Sequence, residues 1–151
     1  MLNAHPARAI CLAGLTCGVM DISAALIVYG SMGLKPHRLL QGIAGGILGP
    51  RTYSGGAPTA LLGLFLHFVI AFGAASVFFV ASRFIPFLLD QAVISGVIYG
   101  IVVYFFMNRV VVQLSAATKY PFSVKMMLIG TIIHIFCVGL PIALSIRKFS
   151  R

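Results

Sequence analysis

The chain predicts an all-α fold: an integral membrane four-helix bundle built from two helical hairpins that run in the same direction. Three observations carry this. Apolar residues make up 60% of the 151 residues and charged residues only 9%, with a mean hydropathy of +1.07, far from the composition of soluble domains. Four apolar stretches reach the roughly 20 residues that cross about 30 Å of hydrocarbon. Two of these stretches repeat a motif of the other two.

The first stretch, 9–31, follows Arg8 and at first sight has the layout of a signal peptide. Its apolar run continues past Asp21 to Tyr29 with no small-residue cleavage site, so it reads as a retained span. The connection that follows, "GLKPHRLLQGIAGGILGPRTYSGGAP", is long. Pro36 opens a short helix there, with Leu39, Leu40, Ile43 and Ile47 near one face and Gly45, Gly46 and Gly49 weakening it. An interfacial or shallow re-entrant segment over 36–50 is expected, re-entry requiring that its backbone be covered by protein or water.

The second stretch, 59–82, carries "LLGLFLHFVI" and is joined by "RFIPFLLDQ" to the third, 91–114. "SAATKYPFSVK" leads on to the fourth, 126–146, which carries "LIGTIIHIF". The second and fourth stretches align Gly63 on Gly130 and His67 on His134, and the first and third align "AGLTCG" on "SGVIYG". Two hairpins of one ancestry, related by a pseudo-twofold axis along the membrane normal, are therefore expected.

The repeat sets depth. At ~1.5 Å per residue, His67 and His134 both lie ~12 Å from the face of the long connection, and Asp21 lies ~15 Å from it. Asp21 also shares a helix face with Gly14 and Gly18. That face points into the bundle, because a lipid-facing acid costs roughly 2.5 to 3.5 kcal/mol on insertion scales. Asp21, His67 and His134, with Asn108 as a further candidate, are thus expected to form one polar layer serving an ion, a proton or a substrate. The plainer account is that each histidine glues two helices through a carbonyl, as buried polar groups do in membranes.

Arg109 is half a turn from the glycine stripe and near the end of its span, so snorkelling to headgroups is expected. Arg38 and Arg51, beside the glycines of the long connection, are candidate anion or headgroup contacts, although no phosphate-loop spacing accompanies them. The glycines of the first and third stretches read as close-packing devices.

A net charge of +9 rests on eleven Lys and Arg against Asp21 and Asp90. These bases fall between apolar runs, a pattern that suits anionic headgroups and leaves no soluble basic face for nucleic acid. Cys11, Cys17 and Cys137 lack CxxC spacing, which argues against a disulfide framework or a zinc site. No G-x-S-x-G or H-E-x-x-H motif is present and no catalytic residue is expected. Basic residues divide almost evenly between the two membrane faces; "IRKFSR", abutting the last span, favours both termini inside.

The runs "AGLTCGVMDISAA", "LLQGIAGGILG", "GGAPTALLGLFLHF", "GVIYGIVVYFFMN" and "HIFCVGLP" together resemble small four-span bacterial inner-membrane proteins, loosely YagU-like. The resemblance covers most of the chain and implies a multi-pass protein of the bacterial inner (cytoplasmic) membrane, with no site chemistry attached. A small transport or proton- or ion-coupled membrane protein is expected, working as a homo-oligomer or within a larger complex because four helices are thin for a complete path. The alternatives are a structural membrane subunit held by buried polar pairs, and a haem b protein with His67 and His134 as axial ligands.

Overall fold

The computed structural model describes residues 6–150 and is all-helical, with no strand among the described residues. Four helices are long and apolar enough to cross a membrane: Pro6–Ser31, Gly56–Phe84, Ala92–Leu114 and Val124–Ser150. Each contains its expected stretch or differs from it by one residue, and each except the third runs a few residues further. Their outer surfaces are apolar; Leu114 is 85% exposed and Phe84 81%. Exposed apolar surface on that scale needs a non-aqueous neighbour.

The first long helix ends where Gly33 takes φ 88°. The Leu34 N–H then closes on the Tyr29 carbonyl and the Gly33 N–H on that of Gly30, the pair of bonds that glycine's left-handed freedom permits at a helix end. Lys35 is extended, and Pro36 starts the loop helix Pro36–Leu48, since its fixed φ suits a first helical position. This is the helix expected within 36–50, and its glycines do not break it because one face, which includes Gly45, is packed. Gln41, Ala44 and Gly45 are buried against the second long helix. The Gln41 side-chain amide donates to the Gly56 carbonyl at 2.9 Å and to the Thr59 hydroxyl at 3.2 Å. Thr52, on the 3-10 turn Gly49–Ser54, donates back to the Gln41 carbonyl at 2.8 Å. One face of the loop segment is thereby held against the start of the second long helix.

At Gly63 the loop helix comes so close that any side chain there would run into the Leu40 carbonyl. Gly63→Leu should therefore lift the loop helix from the bundle at a cost of about 1 to 3 kcal/mol, the usual range for overpacking. Faster amide hydrogen exchange over 36–48, with the long helices unchanged, is the expected readout; unchanged protection there would count against this packing.

The first long helix lies against the second and the fourth, and the third lies against the fourth. Gly14 and Gly18 receive the rings of Phe72 and Phe68. Gly96 and Gly100 face the backbone of the fourth helix at Gly139 and at His134–Ile135. The apolar core, from Ala9, Ala13, Ala75, Phe78, Ile142 and Ile146, fills the half of the bundle nearer the termini. The half beneath the loop helix holds Asp21, His67 and His134.

Candidate functional site

Asp21, His67 and His134 line a single cavity of about 190 Å³, with Cys17 and Met107 beside them and Ile43 of the loop helix closing one side. The sequence-derived layer of three polar groups is therefore a layer in space. Asp21 is 19% exposed and His67 11%, so the groups face a confined space rather than bulk solvent.

Hydrogen bonding dictates which ring nitrogens carry protons. His67 Nε2 lies 2.8 Å from the Gly18 carbonyl. A carbonyl only accepts, so Nε2 is the donor. The other nitrogen, Nδ1, lies 4.0 Å from Asp21 Oδ2. With Nε2–H committed, a neutral ring turns an unprotonated Nδ1 towards the acid. A carboxylate oxygen and a ring lone pair thus face each other across the cavity wall. His134 has the opposite arrangement. Its Nδ1 lies 2.9 Å from the Gly130 carbonyl one turn earlier, which makes Nδ1 the donor and leaves Nε2 unprotonated in the neutral ring. The Tyr104 ring meets the His134 ring edge-on at 5.4 Å.

Backbone irregularities fall at this level. The third helix takes a π-turn over Met107–Val111 and the fourth over His134–Gly139. Such turns break the regular carbonyl ladder and recur at functional sites. In the fourth helix the cause is local: Pro141 has no N–H for the carbonyl four residues back, so the preceding turn widens. In the third, Gln113 Nε2 donates to the Asn108 carbonyl at 3.4 Å, within the widened turn.

The remaining candidates stand elsewhere. Asn108 is corrected from the polar layer to the exterior: it is exposed, its amide donates to the Tyr104 carbonyl at 2.9 Å, and Met107 occupies the inward position at the π-turn. Arg109 lies over the Phe122 ring at 5.4 Å and is exposed. Arg38 donates to the Tyr53 carbonyl at 3.1 Å and stacks over its ring, and Arg51 is exposed on the 3-10 turn. Arg151, part of the basic C-terminal run, lies outside the described residues. Cys17 and Met107 are site residues that sequence reasoning misses; only their helical spacing from Asp21 and Val103 signals them.

Next to Arg38, burial pushes the Tyr53 phenol above the ordinary tyrosine range, and the neighbouring Tyr120 hydroxyl pushes the same way. Tyr120→Phe should lower the Tyr53 midpoint, followed by phenolate absorbance; an unmoved midpoint would show that the two hydroxyls do not interact.

The arrangement does not fit a haem. Axial ligation needs a free nitrogen on each ring aimed at a common iron. His67 Nε2 is instead held by the Gly18 carbonyl, Asp21 flanks Nδ1, and Gly100 locks the third helix onto the fourth at His134. Among the described residues there is also no group of three or more His, Cys, Asp or Glu placed to hold a metal ion.

An all-helical bundle whose four long helices each have the length and apolarity to cross a bilayer has the architecture of a multi-pass membrane protein. No protein-family model, curated protein or solved structure matches the chain.

Proposed function

We propose that the chain is a four-span membrane transport protein that moves protons, alone or coupled to a solute, through the Asp21, His67 and His134 layer. The observation that carries this reading is the Asp21–His67 pair. The Gly18 carbonyl holds the far nitrogen of His67 as a donor and leaves the near nitrogen 4.0 Å from the Asp21 carboxylate, the gap across which, in this reading, one proton is exchanged. His134 faces the same cavity with its own titratable nitrogen. An intramembrane acid with a named partner is a functional-site candidate by default.

In this reading the two hairpins are repeats. Laying His67 on His134 carries Phe68 onto Ile135 and Phe72 onto Gly139, the positions that meet Gly18 and Gly14 in one hairpin and Gly100 and Gly96 in the other. Asp21 then corresponds to Val103, and both line the cavity. The duplicated frame thus carries its acid in one copy alone. The proposal further places the chain in the bacterial inner membrane, as its YagU-like runs imply, and in a homo-oligomer. Arg38, Arg51 and Arg109 would serve headgroup phosphates on the loop-helix face.

The test is a pH gradient imposed on liposomes that contain the purified protein and a trapped pH dye. Dissipation faster than in empty liposomes, and accelerated by a potassium diffusion potential, is expected. Rates equal to empty liposomes at every imposed gradient would overturn the proposal. They would favour a structural subunit, a reading that the carbonyl clamp of His67 also supports.

A further inference from the structure

The second and third long helices are held apart, and what bridges them is Tyr99. Its hydroxyl donates to the Ala74 carbonyl at 2.7 Å, and its ring meets Phe78 edge-on at 5.0 Å. The Asp21 cavity lies on one side of this bridge. On the other side a second cavity of about 140 Å³ lies between the same two helices, walled by Phe78, Phe87, Ile98 and Val102. Ser95 also lines it, and its hydroxyl, on a residue only 3% exposed, has no hydrogen-bond partner. The bundle is therefore open along a seam rather than at one end.

The chemistry of the Asp21 cavity selects among cations. A bare metal ion needs a shell of oxygens in place of its water, six to eight for calcium. Among the side chains that line it only Asp21 carries oxygen, and the neighbouring Gly18 carbonyl is already engaged by His67. Most of the remaining wall is alkyl, including Ile43, Ile70, Ala71, Ala74, Val103 and Val138. One acid in an alkyl wall matches a ligand that carries a single diffuse positive charge on an apolar body, since such a cation is weakly hydrated and needs no oxygen cage.

We propose that the Asp21 cavity binds a lipophilic organic monocation, which enters from the bilayer through the seam between the second and third helices and displaces the proton shared by Asp21 and His67. This rests on the proton-exchange reading above. Charge balances in the exchange: one cation enters the cavity and one proton leaves to bulk water. No covalent bond of the ligand changes.

The test uses benzyltrimethylammonium, which has no proton of its own to release, on the full chain purified in detergent. Saturable binding with one proton released per probe is expected in weakly buffered solution. Affinity should fall about tenfold for each unit by which pH is lowered where the pair is protonated, as one-for-one exchange requires. Neopentylbenzene, the same shape without charge, should not compete, and neither should sodium nor potassium. Tetramethylammonium, the same charge without the ring, should bind about tenfold more weakly or worse, because it buries far less apolar surface. Asp21→Asn should abolish both binding and proton release, while Asp21→Glu retains them and shows that the acid site survives substitution. Absent saturable binding, or binding without proton release, overturns the substrate class. If the same protein still dissipates a pH gradient in liposomes, the proton reading stands without it; if it does not, both fall.

Discussion

Liposomes carrying Asp21→Asn protein should dissipate a pH gradient no faster than empty liposomes, whereas wild-type protein dissipates it and Asp21→Glu retains a measurable share. The substitution is close to isosteric and preserves hydrogen-bonding capacity, so the cavity of about 190 Å³ keeps its shape. What it removes is the carboxylate 4.0 Å from His67 Nδ1, the group proposed to exchange a proton with that ring. An amide does not take up or release that proton near neutral pH, so the loss should be complete rather than partial. A structural role predicts a different pattern: the helices would assemble poorly in the asparagine variant and flux would be absent from both proteins. Asp21→Asn protein that assembles normally and carries wild-type flux would remove Asp21 from the mechanism.

The largest effect on assembly should come from Gly139→Leu. Gly139 lies against the backbone of Gly96 and Gly100, and even a methyl group there would overlap main-chain atoms rather than a movable side-chain end. Overpacking typically costs about 1 to 3 kcal/mol and more where nothing can yield. The contact also joins the third helix to the rest of the bundle, chiefly through the fourth. Loss of the folded species on size-exclusion chromatography, or a collapse of the melting temperature, is expected. Gly73→Leu is the control: that glycine has open space around it and should tolerate the change. Equal stability of the two variants would show that the glycine stripe does not set the helix spacing.

Most of the frame was legible because length and apolarity dictate it. The four stretches, the Pro36 helix and the meeting of Asp21, His67 and His134 all follow from helical rise and spacing. Asn108 is a candidate only for its polarity near the third helix's end; regular helical spacing puts Met107 in line with Val103 and carries Asn108 roughly 140° away from the cavity side. The π-turn at His134–Gly139 has a visible signal in Pro141, whose missing N–H disturbs the turn before it. The tautomers of the two histidines are beyond the reach of sequence. They depend on which carbonyl each ring meets, Gly18 across a helix interface or Gly130 on the same helix, and spacing alone does not say.

Nitrogen-15 NMR of the imidazole rings tests the shared proton most directly, with His67 and His134 assigned by single His→Gln variants. His67 should keep its proton on Nε2 throughout, and the response of its Nδ1 signal to pH should change when Asp21 becomes asparagine. His134 should show the reverse, protonated at Nδ1 and titrating at Nε2. A His67 signal whose titration is the same in wild-type and Asp21→Asn protein would contradict the account, because the acid and the ring would then hold no proton in common.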